Sequence, residues 1–219
     1  MNQRKKAALF DLDGVVFDTE PQYTIFWETE CRRYFPEQEG LAHAIKGSTL
    51  GQIFEKYFTG SLEDERGALT ERLNAFERNM EFPFVPGFVD FLSQLSSKGV
   101  LKAIVTSSNQ AKMANVYRCH PHLKNLFDII LTAEDFARSK PFPDCYLTAA
   151  ERLSVSKQEC VVFEDSFNGI RSGRDAGMTV VGLATTNDIQ ALQPLCDYVI
   201  SDYHDAKVQK IIDIFGTFQ

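Results

Sequence analysis

Short apolar runs rich in valine and isoleucine recur along the chain at Ala7–Phe10, Lys102–Thr106, Phe127–Leu131, Cys160–Phe163, Thr179–Leu183 and Tyr198–Ile200. Their brevity and near-continuous apolarity predict strands that are buried. Between them, Phe88–Lys98, Gln110–Arg118, Asp144–Leu153, Gly169–Ala176 and Ala206–Phe215 carry helical spacing, several with Gly or Pro near an end. Strands that alternate with helices in this way predict an α/β fold built on a doubly wound parallel sheet.

One stretch breaks the rhythm. From Pro21 to about Pro83 no strand pattern is found, but Tyr23–Tyr34, Gly51–Tyr57 and Leu62–Met80 are amphipathic at helical spacing. An α-helical insertion after the first strand accounts for this. It predicts a core made of residues 1–17 and 86–219 and a helical cap made of residues 18–85. The hinges fall at Asp18–Pro21 and Pro83–Gly87, where prolines and a glycine punctuate the pattern.

A chain of 219 residues, 44% of them apolar, can bury a core of this size. Its net charge of -7 argues against nucleic acid as a partner, since phosphates call for a basic surface. Cys31, Cys119, Cys145, Cys160 and Cys196 are an odd, widely spaced set without a C-x-x-C pair, which points to a reducing compartment. The Met1–Lys6 terminus is basic, but the apolar run after it stops at Asp11, too soon for an export signal or a membrane span. Cytoplasmic residence without membrane attachment is therefore expected, and a monomer.

Candidate chemistry sits where strands end. Asp11-Leu12-Asp13-Gly14 follows the first strand, and a period of two would send both carboxylates to the same side of the sheet's carboxyl edge. Open α/β sheets bind ligands at that edge. Two anionic groups so close need a cation or a shared proton, although alone such a turn also suits a solvated loop. Glu164-Asp165 follows the Cys160–Phe163 strand in the same manner, so the acids converge on one edge. Hard oxygen ligands of this kind suit magnesium together with a substrate phosphate. Acids at a helix amino terminus are the rival reading of that second pair.

Two more features fit an anionic substrate. Thr106-Ser107-Ser108-Asn109 ends another strand, where hydroxyls, amides and a helix start can hold phosphate oxygens, or where one residue simply caps the helix. Lys140 precedes Pro141-Phe142-Pro143, which restricts the backbone and so the aim of the ammonium. His120-Pro121-His122 pairs two imidazoles but lacks a completing ligand pattern and reads as a loop. Phe82, Phe84 and Phe88 cluster at the second hinge, where they can seat the insertion.

In order and spacing, Asp11-Leu12-Asp13-Gly14-Val15-Val16, Thr106, Lys140 in Lys-Pro-Phe-Pro-Asp, and Glu164-Asp165-Ser166 resemble the four motifs of the haloacid dehalogenase superfamily. The resemblance covers nearly the whole chain. It is nearest to the branch with a helical cap after the first motif, which includes β-phosphoglucomutase and phosphoglycolate phosphatase. It implies a Rossmann-like core and a magnesium-dependent phosphatase acting on a small phosphorylated metabolite.

The resemblance implies specific roles. Asp11 is the nucleophile that forms an aspartyl-phosphate, and Asp13 the general acid and then base. Magnesium is held by the Asp11 carboxylate, the Asp13 carbonyl and Asp165, with Glu164 as a possible further ligand. Thr106 and Lys140 steady the transferring group, and Ser107, Ser108 and Asn109 hold further oxygens. Lys46, Gly47, Ser48 and Thr49 form the cap loop that reads the substrate, with Ser48 or Thr49 also a candidate helix cap. Tyr23 and Trp27, four residues apart on the first cap helix, either face the cleft or belong to the cap core.

The runner-up is a β-phosphoglucomutase-type mutase. That enzyme carries a His where this chain has Tyr23 and an Arg where it has Leu50, and an aliphatic side chain cannot hold a second phosphate. Water is therefore the favoured acceptor. A dehalogenase would need neither the second aspartate nor magnesium, and a non-catalytic relative should have lost a motif.

Overall fold

The computed structural model describes residues 5–205 and 208–215. Ala206 and Lys207 of the last expected helix, and the first four residues of the basic amino terminus, lie outside them. The sheet is six-stranded and parallel throughout, in the order β3-β2-β1-β4-β5-β6, built from β1 (Ala7–Phe10), β2 (Leu101–Val105), β3 (Ile129–Leu131), β4 (Cys160–Glu164), β5 (Thr179–Leu183) and β6 (Tyr198–Ile200). This is the doubly wound arrangement expected from the alternating pattern.

β1 lies in the middle and is buried along its length. Alternate residues feed opposite layers: Ala8 and Phe10 join one apolar cluster, Ala7 and Leu9 the other. A strand covered on both faces reads as continuous apolar sequence, which is why the period of two is invisible in it. One layer contains a ring cluster in which Phe10 stacks on Phe163 at 4.6 Å between centroids. The other is formed by α7 (Asp144–Leu153) and α8 (Phe167–Asp175), which set Cys145, Tyr146, Ala149 and Ile170 against the sheet.

Between β1 and α5 (Phe88–Ser97) the chain is helical: α1 (Glu20–Tyr34), α2 (Leu41–Ala44), α3 (Leu50–Tyr57) and α4 (Arg66–Asn79). They share a cluster of their own around Leu41, Ile45, Ile53, Phe58 and Leu69. Leu62–Met80 is not one helix as expected. A 3-10 segment, Gly60–Glu65, precedes α4, because the Arg66 guanidinium donates to the carbonyls of Phe58 (2.6 and 2.8 Å) and Phe54 (3.3 Å) and turns the chain at the end of α3. α2 and α9 (Ile189–Leu192) were not foreseen, being single turns too short to show a period. α6 (Gln110–Cys119) and α10 (Val208–Ile214) complete the fold.

The two segments expected as hinges are joined. Phe17 bridges Phe84, Asp18 N donates to Pro83 O at 2.8 Å, and Val85 N donates to Val16 O at 3.0 Å. His120 is more than the loop residue expected. Its ring lies 4.8 Å from that of Phe17 and 4.9 Å from that of Phe84, and its Nε2 is 2.8 Å from Phe82 O.

Candidate active site

The strand order reverses between β1 and β4, the point at which open α/β sheets bind ligands beyond the carboxyl ends of their strands. Asp11 follows β1 directly, with its N–H donating to Phe163 O at 3.0 Å as a last rung of the ladder. The chain then turns through Gly14 at φ +71°. A side chain at Gly14 would also run into the Asp165 carboxylate, so glycine lets motif and acid approach. Since the ladder has no rung beyond the Asp11 N–H, the period of two does not carry through the turn. Asp11 and Asp13 share the edge but take different partners.

Asp11 Oδ1 accepts from Lys140 Nζ at 2.6 Å, and the same ammonium donates to Glu164 Oε1 at 2.6 Å and Val105 O at 3.0 Å. Lys140 is buried, and burial acts against its charge. The carboxylates of Asp11 and Glu164 outweigh that and hold it protonated well above the ordinary lysine range. Burial pushes the Asp11 carboxyl up to about 7, with help from the charges of Glu164 and Asp13, while Lys140 pulls the other way. Burial, then Glu164 and Asp11, likewise drive Asp165 well above the carboxylate range.

Carboxylate oxygens of Asp11, Glu164 and Asp165 lie within 4.8 Å of one another. Their Coulomb repulsion is what a divalent cation would relieve. The three are not equivalent, however. Glu164 Oε1 already accepts from Lys140 and, at 2.7 Å, from the Tyr146 hydroxyl. Its Oε2 takes the Ser166 hydroxyl and the Asp165 N–H, both at 3.2 Å. Asp165 accepts a short hydrogen bond from Thr186, and its carbonyl accepts from Asn187 Nδ2 at 2.9 Å. Glu164 thus holds Lys140 and the start of α8, whereas Asp11 and Asp165 keep oxygens for a cation. Asp13 does not bring its carboxylate to this group and has only its carbonyl to offer.

Asp13 instead faces the helical insertion and α6. Its Oδ1 accepts from Thr19 Oγ1 at 2.7 Å, and its Oδ2 from Ser108 Oγ at 3.3 Å and Lys112 Nζ at 2.5 Å. The Thr106 hydroxyl is buried and accepts from Ser108 N at 3.0 Å, and the buried Ser107 Oγ has no partner. Asn109 is an exposed N-cap whose side chain accepts from Lys112 N at 2.9 Å, so the capping alternative holds for it.

The Lys46–Thr49 loop does reach the edge. Gly47 O accepts from Asn168 Nδ2 at 3.0 Å, and at φ +72° a Cβ there would come within 2.6 Å of Ser166 Cβ. Lys46 pairs with Glu20 at 3.7 Å. Thr49 caps α3 in a reciprocal box with Gln52, whose Nε2 also donates to Lys140 O at 2.9 Å. Tyr23 lies beside the Asp13 partners: its hydroxyl donates to Glu77 at 2.8 Å and its ring centroid is 4.7 Å from Lys112 Nζ. Of the two alternatives for Trp27, the structure shows the one within the helical cluster. It packs on Phe26 and into the helical cluster around Leu41, Ile45 and Ile53.

Thr19, Glu20, Lys112, Tyr146 and Thr186 were not singled out in the sequence. No motif marks them, though Lys112 falls one turn after the Thr106–Asn109 strand end, where a side chain folded back would reach the first motif.

Residues 8–183 match the family model of haloacid dehalogenase-like hydrolases, and the chain belongs to that family. It is 32% identical over 211 residues to hexitol phosphatase A of Escherichia coli, covering 94% of this chain and 95% of that one. It is 30% identical over 206 residues to validoxylamine A 7'-phosphate phosphatase of Streptomyces hygroscopicus, covering 92% and 96%. A crystal structure of a family IA, variant 3 hydrolase from Entamoeba histolytica superposes with a TM-score of 0.81 at 26% identity, covering 97% of this chain and all of that one. With such relatives along its length, the chain is a phosphoric monoester hydrolase. Among the described residues no helix is long and apolar enough to cross a membrane.

Proposed function

We propose that this protein is a magnesium-dependent phosphatase of a small sugar or polyol phosphate that works through an aspartyl-phosphate on Asp11. The observation that carries the reading is the placement of Asp11: a carboxylate at the sheet's switch point, clasped by Lys140 and within 4.8 Å of the oxygens of two further acids. Residues 18–85 act as the cap and residues 1–17 with 86–219 as the catalytic core. The relatives named for hexitol and fructose 1-phosphate phosphatase activity support the substrate class.

Asp11 Oδ attacks phosphorus, the ester P–O bond breaks, and Asp13 gives its proton to the leaving oxygen. Asp13 then takes a proton from the water whose oxygen displaces Asp11 from phosphorus. Lys140 neutralises the carboxylates around the nucleophile and faces the transferring group, while Thr106, the unpartnered Ser107 hydroxyl and Ser108 hold phosphate oxygens. Asp11, Asp165 and the Asp13 carbonyl would hold magnesium. Bound there, it would shield the nucleophile from the phosphate's negative charge. Gly47, Ser48 and Lys46 close the site from the cap side.

Transfer to a second sugar hydroxyl, the mutase alternative, needs a cation for a distal phosphate. Leu50 stands at the first position of α3 and Lys46 is paired with Glu20, so water is the acceptor in this reading. The five free thiols accord with a cytoplasmic enzyme.

The test is phosphate release from hexitol, hexose and pentose phosphates, phosphoglycolate and pyrophosphate, with magnesium or with EDTA. Magnesium-dependent release from polyol or sugar phosphates is expected, with Asp11→Asn folded but inactive. Release that is indifferent to magnesium, or an active Asp11→Asn protein, would overturn the reading.

A further inference from the structure

We infer that Lys112 is a positioning residue for Asp13, holding its carboxylate in one orientation toward the leaving oxygen; the inference rests on the reading of Asp13 as acid and base given above. Lys112 Nζ lies 2.5 Å from Asp13 Oδ2, and the lysine is 6% exposed. An ammonium so buried costs several kcal/mol in lost hydration unless paired (order of magnitude). Among the described residues Asp13 is the one carboxylate with which Lys112 forms an ion pair. The open side of the ammonium is covered by the Tyr23 ring, which is itself anchored to α4 through Glu77.

The consequence follows from counting lone pairs. Each carboxylate oxygen accepts about two hydrogen bonds. Asp13 Oδ2 already takes two, from Lys112 and the Ser108 hydroxyl, while Oδ1 takes one, from Thr19. Oδ1 is therefore the oxygen with a lone pair left for the site, and Lys112 makes the two oxygens different. Without the ammonium the carboxylate keeps only the Thr19 hydroxyl at 2.7 Å and the Ser108 hydroxyl at 3.3 Å, and it can swing about its last torsion, which for aspartate is broad and roughly two-fold. The proton then has no fixed origin relative to the leaving oxygen, and the positional advantage of the acid is lost. The ammonium also balances the charge left on Asp13 once the proton has gone to the alkoxide.

Lys112 sits in the first turn of α6, whose start is fixed by the Asn109 cap, so the position of the acid is set by the same segment that presents Thr106, Ser107 and Ser108. Nothing in this requires Lys112 to touch substrate.

The experiment measures kcat/KM of wild type, Lys112→Met and Lys112→Arg on p-nitrophenyl phosphate, phenyl phosphate and β-glycerophosphate, with thermal melting as a check on folding. A nitrophenolate leaves without a proton, whereas an alkoxide does not. Lys112→Met is expected to lose about 100-fold or more on β-glycerophosphate, the range typical of a lost general acid, and less than about tenfold on p-nitrophenyl phosphate. Lys112→Arg should recover part of the difference. An equal loss on all three substrates would overturn the inference, as would no loss on any. A crystal structure of Lys112→Met supplies an independent arm: the Asp13 carboxylate should leave the Ser108 hydroxyl, and an unmoved Asp13 overturns the inference even with folding intact. If the wild type hydrolyses none of the series, it is the phosphatase reading that fails, and the crystallographic arm still decides on Lys112.

Discussion

Stability measured across pH, with and without magnesium, interrogates the acid cluster directly. In the protein without metal, burial raises the Asp11 carboxyl from 3.8 to about 7, and Asp165 is raised in the same direction. A carboxyl raised on folding binds more protons in the native chain than in the unfolded one between those values. Its stabilising contribution is present below the unfolded value and lost as pH rises through the folded one. For Asp11 alone, going from pH 5 to pH 8 removes about 3 kcal/mol. In a chain of this size that corresponds to a melting temperature lower by about 6–12 °C. Magnesium binds the ionised carboxylates, so its stabilisation should be small at pH 5 and large at pH 8.

The assay is thermal or urea unfolding at pH 5, 6, 7 and 8 in EDTA and in excess magnesium, on wild type and Asp11→Asn. The asparagine keeps the volume and removes the titration, so groups that do not feel Asp11 cancel in the comparison, while Asp165, which the Asp11 charge helps to raise, is eased in the variant and flattens its curve in the same direction. The EDTA curve of the variant should be flatter than that of wild type by about 3 kcal/mol over the range. Parallel curves for the two proteins, or a magnesium increment equal at pH 5 and pH 8, would refute the account of the site as repelling acids awaiting a cation.

Lys140→Met leaves Asp11 and Glu164 without their shared ammonium and should cost about 3–5 kcal/mol in urea unfolding at neutral pH; adding Glu164→Gln should return part of it, and strictly additive losses would show that the contact is not a charge pair. Gly47→Ala places a Cβ against Ser166 at a positive φ; a stability loss of about 1–2 kcal/mol is expected together with a raised KM, and unchanged kinetics would separate this loop from substrate. Asn109→Ala should cost about 1 kcal/mol through loss of the α6 cap, with Asn109→Asp close to wild type in stability. A loss as large with Asp as with Ala would argue against the cap.

The sheet and the acid pairs were readable because each is written locally. β1 through β6 are short apolar runs closed by a polar turn, and a strand buried on both sides leaves that signature whatever it packs against. Asp11 comes at once after β1, and Glu164 ends β4 with Asp165 next to it, so knowing that parallel strands end on one edge is enough to bring them together. The strandless stretch before Pro83 was legible for the converse reason, as helical spacing where the rest of the chain alternates.

The cations and the helical boundaries were written in tertiary contacts instead. Lys140 was visible through its flanking prolines, but the 3-10 break before α4 depends on Arg66 reaching carbonyls eight and twelve residues back, which no window of apolar period contains. Trp27 and Tyr23 have equal spacing on α1, yet one is taken up by the helical cluster and the other by Lys112 and Glu77, and only the packing of α4 beside α1 separates them. Lys112 is the sharpest case. Its partner Asp13 lies 99 residues away in sequence, and the sequence around it reads as an ordinary solvated helix start. A buried lysine can exist there only because an acid has already been placed opposite it by β1, so its role becomes readable after the sheet is assembled and not before.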